Sequence, residues 1–251
     1  MGIGVVLSLC CLAATPVISH GTAIAAIRVP AELVIAADSR VVDGLNRRLP
    51  DECKIRVIHD TAFTAHGIST DSETGLDLFR IVSSILRGRG DLAVAVANVA
   101  ANVAGPLSEA LERTRRAEPG TFQRNAIQMA AAGVILGRHE RGAPHLGYVR
   151  FAVRIEPDDG LRVDAQVQMC PSADCPDGVV GLFVAPHADA NAFQRAHPEY
   201  WKQDLVAIAT AFVQGEIDKN LVDIGPPIDV VRIAGGHVSW VRRKAGCLES
   251  E

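Results

Sequence analysis

Between residues 22 and 66 the chain alternates short apolar runs with polar turns. Each pair of runs is joined by a short turn, a pattern that predicts two hairpins of buried strands. The runs are Thr22 to Ile27 with Leu33 to Ala37, and Ile55 to Ile58 with Ala62 to His66. The turns are Pro30 to Glu32 and His59 to Thr61. Both hairpins are expected to lie in antiparallel sheets.

The spacing of the apolar residues then becomes helical. Leu78, Ile81, Val82 and Ile85 follow a polar start at residues 70–72, which predicts a first helix. A second, longer helix is predicted by steps of three and four residues through Leu92, Val96, Val99, Val103, Leu107 and Leu111. Pro106 should kink or break this helix, because proline removes a backbone donor and clashes with the preceding turn.

Strands return after about residue 125, and the later part of the chain contains a further helix. The expected strands are Met129 to Leu136, Val149 to Ile155, Leu161 to Met169, Val179 to Val184, Ile228 to Ile233 and His237 to Val241. A helix is expected from about Glu199 to Lys219. The order of elements favours an α+β fold, in which helices cover antiparallel sheets. The sequence shows no internal repeat and no linker between domains.

The N-terminal segment is typical of an export signal. Val5 to Ile18 is almost entirely apolar or small, and Ser19 and Gly21 are small residues at −3 and −1 to a cut before Thr22. No Lys or Arg precedes this run, which is unusual for such a signal, and a buried N-terminal strand is the alternative. We expect residues 1–21 to be a signal peptide or propeptide and residues 22–251 to form one domain in an exported, periplasmic or secreted protein.

Composition and cysteine usage narrow the function. The net charge of −4 and the pI of about 6.1 argue against a nucleic-acid-binding protein. Four cysteines follow the expected cut, and they could pair in an exported protein. Cys170 and Cys175 flank a four-residue loop and could close a small disulfide. A metal site is disfavoured, since no matching His/Cys pair lies near them. We expect no metal and no organic cofactor.

Three residues carry the candidate chemistry. Thr22 follows a glycine, Asp38 lies sixteen residues later and Lys54 sixteen residues after that. A threonine at a free N-terminus carries both a nucleophilic hydroxyl and a base, its own α-amino group. A neighbouring lysine lowers the pKa of that amine, and an aspartate holds the lysine in place.

These residues and their surroundings resemble a known family. Gly21-Thr22, the strand ending in Ala36-Ala37-Asp38-Ser39-Arg40, Lys54 before an apolar strand and Ala65-His66-Gly67 resemble proteasome β-subunits and the bacterial HslV-type threonine peptidases. The order of elements is similar over nearly the whole chain. The resemblance implies an N-terminal-nucleophile (Ntn) hydrolase: a four-layer αββα sandwich of two antiparallel sheets flanked by helices.

The resemblance also implies roles for individual residues. Thr22 would be the nucleophile, Lys54 would tune its amine, and Asp38 would pair with Lys54. Arg40 would support the same loop. Gly67 would offer its backbone N–H to the oxyanion of the tetrahedral intermediate.

Other positions follow by analogy or depart from the family pattern. Val41, Ala65 and Ser69 would line the first specificity pocket, and their small or apolar character favours an apolar side chain before the scissile bond. Family members carry two serines that assist the terminal amine, and this chain has neither at the matching positions. Asp218 or Asp223 could be the aspartate that accompanies one of those serines. His187 could replace the other, although a lone histidine at a helix start is more often structural.

Three functions are therefore open. The first is an exported threonine peptidase that processes its own N-terminus and hydrolyses a peptide or protein substrate. The second is a catalytically inactive scaffold or binding protein on the same fold, and the third is an Ntn amidase acting on a small-molecule amide. A homo-oligomeric ring is a further expectation, with the apolar helices of residues 76–111 as its interface. An ATP-dependent unfoldase is not expected as a partner of an exported protein, which meets no ATP.

Overall fold

Two five-stranded antiparallel sheets form the centre of the computed structural model. It describes residues 18–19, 22–43, 47–50, 52–123, 131–173, 175, 180–184 and 190–247. The strands are β1 Ile18–Ser19, β2 Ile24–Val29, β3 Glu32–Asp38, β4 Ile55–Ile58, β5 Thr61–Gly67, β6 Thr70–Asp71, β7 Leu76–Asp77, β8 Ala132–Glu140, β9 Ala143–Ile155, β10 Leu161–Cys170, β11 Val180–Val184, β12 Ile228–Ala234 and β13 His237–Arg242. The helices are α1 Leu78–Arg87, α2 Leu92–Ala117, α3 Pro119–Phe122, α4 Ala190–Ala196 and α5 Leu205–Asp218, with a 3₁₀ turn at Tyr200–Lys202.

The strand order follows from the hairpins. In the first sheet the order is β11-β2-β3-β12-β13, and the β2–β3 hairpin lies at its centre. The second sheet has the order β10-β9-β8-β5-β4 and contains the second predicted hairpin, β4–β5, at one edge. A small third sheet joins β1, β6 and β7. Both predicted N-terminal hairpins are confirmed.

Three apolar clusters define the layers. The inner cluster lies between the sheets and takes Ile24 and Ile35 from the first sheet and Ile135 and Leu146 from the second. A second cluster packs α1 and α2 on the outer face of the second sheet, and a third packs α5 on the outer face of the first. Helices therefore cover both outer faces of the paired sheets. This is the αββα sandwich that the resemblance implies, and the predicted fold class is confirmed.

Helix α2 is held by one apolar face. Its buried residues follow the predicted three- and four-residue steps: Leu92, Ala95, Val96, Val99, Val103, Leu107, Ala110, Leu111 and Thr114. The helix runs through Pro106 without interruption, so the predicted break does not occur. Proline in a helix costs roughly 3 kcal/mol, which burial of several aliphatic side chains offsets. By length and composition alone, α2 could also cross a membrane, but its apolar face is part of the core.

Two helix starts differ from the prediction, each because of a capping aspartate. Helix α1 begins at Leu78 rather than near residue 70, since the Asp77 side chain accepts a hydrogen bond from the Arg80 backbone N–H. The expected helix of residues 199–219 is divided into a 3₁₀ turn and α5. Asp204 caps α5 by accepting from the N–H groups of Val206 and Ala207.

Both pairs of cysteines after residue 22 form disulfides. Cys170 and Cys175 close the small loop that the sequence suggested, with an S–S distance of 2.11 Å. Cys53 and Cys247 join residues far apart in the chain, at 2.09 Å. Of the predicted signal segment, Ile18 and Ser19 belong to β1, and the rest lies outside the described residues.

Candidate active site

The buried carboxylate of Asp38 organises the site. Asp38 ends β3 and has no exposed surface. Its Oδ1 accepts from the Ala23 backbone N–H at 2.9 Å and from the Lys54 ammonium at 3.0 Å. Its Oδ2 accepts from the backbone N–H groups of Arg40 at 3.1 Å and Gly225 at 3.0 Å. A buried charge is costly unless it is paired and hydrogen-bonded, and here four donors satisfy it.

The three residues selected from the sequence lie at one end of the sandwich. Lys54 precedes β4 and is 3% exposed, and Thr22 is 6% exposed. Thr22 adjoins Ala23, whose N–H shares one carboxylate oxygen with the Lys54 ammonium. The predicted Asp38–Lys54 ion pair is therefore present, and Thr22 lies directly beside it.

Arg40 fixes a loop that reaches the site from the other end of the chain. Its Nη1 donates to the carbonyl of Leu221 at 3.1 Å. The guanidinium lies where a Cβ on Gly225 would be, so a larger residue at this position would displace Arg40. Arg40 thus holds residues 221–225 where the Gly225 N–H can donate to Asp38.

The two candidate supporting aspartates lie in different surroundings. Asp223 is half-buried in the loop of residues 221–225, close in sequence to Gly225. Asp218 is exposed on the last turn of α5, where it accepts a hydrogen bond from Gln214 at 2.7 Å. Asp223 is thus the better placed of the two. His187 lies outside the described residues.

A second buried aspartate, Asp229, lies behind the site and was not identified from the sequence. It accepts from the Ser39 hydroxyl at 3.3 Å and from the Lys244 backbone N–H at 2.6 Å. Burial raises the pKa of its carboxyl, against the opposing effects of these hydrogen bonds and of the nearby Lys244 and Arg243 charges. An aspartate inside the apolar run Ile228 to Ile233 was the signal that could have revealed it.

The Cys53–Cys247 disulfide ties the C-terminal segment to the same site. Cys53 immediately precedes Lys54, and Cys247 lies three residues after Lys244. The segment is thus held twice, by Asp229 and by the disulfide. Once Cys170 is assigned to Cys175, these two cysteines are the remaining pair among the four that follow residue 22, so the sequence did contain a signal for this link.

Gly67 ends β5 opposite Ala132 and has a φ of +76°. A side chain at this position would collide with the carbonyl oxygen of Ala131, and residues other than glycine rarely adopt this φ. The backbone conformation therefore requires glycine. The proposed role of its N–H as an oxyanion donor stays a prediction.

The three residues expected to line a specificity pocket are all buried. Val41 and Ala65 are each 2% exposed, and Ser69 is 6% exposed. Ala65 belongs to the cluster beneath α1 and α2, so its side chain faces the helices rather than the gap between the sheets. Whether these residues contact a substrate stays a prediction.

A cavity of about 400 Å³ lies away from these residues. It is lined by the β4–β5 turn at His59 and Asp60, by Arg138 and by the α1–α2 connection. Lys54 lies at the opposite end of β4, so this cavity is not the candidate site. Within the described ranges, no group of three His, Cys, Asp or Glu side chains could hold a metal ion.

Comparison with solved structures finds a distant likeness in fold. The fold is similar to that of a Gly-1 mutant of Anbu from Hyphomicrobium sp. strain MC1. The two chains are 16% identical, the match covers 89% of this chain and 86% of that one, and the TM-score is 0.49. No protein-family model and no curated protein matches the sequence. A likeness at this level leaves the chemistry to be inferred from the chain's own residues.

Proposed function

We propose that the chain is a threonine-type peptidase or amidohydrolase whose nucleophile is Thr22, exposed by cleavage after Gly21. The observation that carries this proposal is the shared Asp38 oxygen, which holds the Lys54 ammonium and the backbone next to Thr22 together. A buried ion pair is costly, and replacement by apolar residues is often neutral or stabilising. A lysine in this position beside a threonine therefore suggests a chemical role.

The reaction begins with the Thr22 hydroxyl. Its oxygen attacks the substrate carbonyl carbon while its proton passes to the free α-amine of the same residue. The positive charge of Lys54 favours the neutral form of that amine, because a nearby like charge lowers its pKa. The tetrahedral oxyanion would accept a hydrogen bond from the Gly67 N–H.

The second half of the reaction restores the enzyme. The carbon–nitrogen bond breaks, and the leaving amine takes the proton held by the α-ammonium. This leaves an ester between Thr22 and the acyl group. Water then attacks the ester, the α-amine accepts a proton from that water, and the carboxylic acid departs as the Thr22 oxygen is reprotonated. No metal or cofactor is needed for any of these steps.

The residues before Thr22 support self-processing as the route to the free amine. Ile18 pairs with Asp71 and Ser19 with Thr70, so β1 adds as an antiparallel strand to β6. A peptide substrate could add to the same edge through main-chain hydrogen bonds. A signal peptidase is the alternative processing enzyme.

Location and assembly follow from the same proposal. The two disulfides fit an oxidising, exported location, because structural disulfides are rare in the cytosol. In that location the enzyme would act on peptides or proteins without an unfoldase. We also propose a homo-oligomer, whose interface would be the outer face of α1 and α2; a monomer at micromolar concentration in light scattering would contradict this.

Two other functions remain competitors. The absence of both supporting serines favours an inactive scaffold or binding protein on the same fold. A small-molecule amidase would share the first chemical step with a peptidase. Attack by Thr22 on an amide carbonyl distinguishes the peptidase and the amidase from the inactive scaffold. Because this step is the same in both enzymes, it does not distinguish the peptidase from the amidase.

The decisive experiment compares the wild-type protein with Thr22→Ala by intact mass and N-terminal sequencing. A wild-type chain that starts at Thr22 and hydrolyses peptides, beside an inactive and still folded Thr22→Ala protein, would support the proposal. If only Thr22→Ala keeps its leader, cleavage is autocatalytic. A wild-type chain that starts elsewhere would leave Thr22 without its own amine as base and would favour the scaffold.

A further inference from the structure

The gap between the two sheets is closed at one end and meets the candidate site at the other. At the closed end Arg28, the last inward-facing residue of β2, is fully buried and donates from its Nε to the Pro144 carbonyl at 2.7 Å. At the other end Lys54 crosses to Asp38. These two contacts fix the alignment of the first sheet over the second.

The alignment predicts that Tyr148 and Arg150 of β9 lie across the gap from Thr22. Thr22 lies six residues from Arg28, and Arg150 lies six residues from Pro144. Extended strands rise by similar amounts per residue, roughly 3.3 Å, so the two positions lie at a similar distance from the closed end. The strand pairing of the second sheet agrees with this position. Tyr148 lies in the same row of paired residues across the sheet as Ile55, which directly follows Lys54.

Side-chain alternation places these residues on the inner face of the second sheet. Leu146 and Tyr148 both contact the cluster between the sheets. Alternate residues of a strand share a face, so Arg150 points to the same side. Arg150 is exposed and Tyr148 half-buried. The inner face thus changes from apolar and covered to polar and open as it approaches Thr22.

His66 joins Tyr148 and Arg150 in one cluster. It is the residue before Gly67, is 6% exposed and lies over the backbone of Gly133, where a Cβ would collide with its ring. Its Nε2 lies 3.1 Å from the Tyr148 hydroxyl. Burial, with a smaller effect of the Arg150 charge, lowers the pKa of His66 to about 4. Near pH 7 the imidazole is therefore neutral, and Arg150 supplies the positive charge.

Arg150 differs from the next arginine on the same face of β9. Arg154 forms an ion pair with Asp164 at 3.2 Å. Within the part of the chain that the structure describes, no carboxylate forms an ion pair with Arg150. On the neighbouring strand β10, Gln166 lies opposite Arg150 and Gln168 lies opposite Tyr148, and both glutamine side chains are exposed. Among the described residues, the open floor of the gap thus places the Arg150 cation next to neutral hydrogen-bonding groups and without an ion-pair partner.

We propose that Arg150, Tyr148 and His66 form a subsite that binds a carboxylate of the substrate across the gap from Thr22. The Arg150 guanidinium pairs with the carboxylate. With its proton on Nε2, His66 donates to the Tyr148 oxygen and thereby directs the Tyr148 hydroxyl proton at the carboxylate. The carboxylate belongs either to the C-terminus of a peptide or to an acidic side chain. The inference rests on the proposed function for the role of Thr22, but binding at the subsite can be measured without turnover.

The test measures binding of three peptides to the full chain by calorimetry, with product formation followed in the same samples. The peptides are N-acetyl-Ala-Ala-Ala-Ala as the free acid, the same peptide as its amide, and N-acetyl-Ala-Ala-Glu-Ala amide. Arg150→Gln should weaken binding of a carboxylate peptide roughly 10- to 100-fold, the range expected for a lost charged hydrogen bond. Tyr148→Phe should weaken it less, about 3- to 10-fold. Arg154→Gln is the matched control on the same face and should change little.

The outcomes show whether the carboxylate comes from a peptide C-terminus or from an acidic side chain. They also distinguish a failure of the subsite proposal from a failure of the hydrolase proposal. Tighter binding of the free acid identifies a peptide C-terminus, and tighter binding of the Glu peptide identifies an acidic side chain. Equal binding of all three peptides, no binding at millimolar concentration, or equal effects of Arg150→Gln and Arg154→Gln would overturn the subsite. Carboxylate-dependent binding without any cleavage would support the subsite and count against the hydrolase.

Discussion

Two buried aspartates of this protein are neutralised in different ways. Asp38 receives the Lys54 ammonium and backbone N–H groups from three separate segments. Asp71 in β6 receives two parallel hydrogen bonds from Arg113 of α2, at 2.7 and 2.9 Å. Its other donors are the Thr74 hydroxyl and the Glu73 N–H of the same turn. Neither carboxylate has any exposed surface.

The difference indicates what each pair is for. The planar guanidinium of Arg113 matches both oxygens of Asp71 and attaches α2 to one turn. The Lys54 ammonium is a compact charge with three donors that can act in several directions. Asp38 thus gathers distant segments around a point charge beside Thr22, whereas Asp71 joins two structural elements. We expect chemistry from the first pair and stability alone from the second.

The largest effect is expected from Lys54→Ala. It leaves the Asp38 carboxylate buried and unpaired, which should lower the free energy of unfolding by about 3–5 kcal/mol. It should also reduce peptide hydrolysis by roughly 10²- to 10⁴-fold, the usual contribution of assisted proton transfer. Lys54→Arg should not restore the rate, because a guanidinium does not replace a point charge here. Denaturant unfolding and initial rates on folded protein measure the two effects, and full activity in either variant would break the comparison.

Arg113→Ala should lower the stability of the protein, as Lys54→Ala does, but should not lower the rate of peptide hydrolysis. The Asp71 carboxylate becomes unpaired, and we expect the free energy of unfolding to fall by about 3–5 kcal/mol. The rate per folded molecule should stay within about twofold, since an interaction absent from the transition state leaves the activation energy unchanged. Lys202→Ala, which removes an exposed pair with Glu199, is the control and should cost less than about 1 kcal/mol. A large loss of rate in Arg113→Ala would mean that both aspartates serve the site.

His66 should have a smaller effect on stability. Unlike the two aspartates, which are buried as paired charges, it is buried as the neutral form. Its pKa falls from 6.5 to about 4, mainly through burial. Between pH 4 and pH 6.5, His66 is therefore protonated in the unfolded chain and neutral in the folded chain. Stability from this group is therefore complete above pH 6.5, falls as the pH drops towards 4 and changes no further below that. The total loss should be roughly 3 kcal/mol. Unfolding of His66→Gln and wild type at several pH values measures it, and parallel curves would contradict the assignment.

The layers were predictable from local signals in the sequence, and the Asp38–Lys54 pair was predictable from the family resemblance. Apolar periodicity marks the faces of β2, β3 and α2, and the resemblance supplied the pairing. Asp229 and Gly225 left weaker signals, because their partners Ser39 and Asp38 lie 190 and 187 residues away in the chain. No local pattern records such a contact. The start of α5 was placed too early for a local reason, since the capping effect of Asp204 was not recognised.

The Cys53–Cys247 disulfide closes most of the chain into a covalent ring. Strands β2 and β3 carry part of the site and precede this ring in the chain. In the first sheet they lie between β11 and β12, and both of these strands belong to the ring. A single backbone cut by a protease inside the ring therefore cannot release a fragment while the disulfide is intact. The central strands stay enclosed by their neighbours, so a nicked molecule can keep Thr22, Asp38 and Lys54 together.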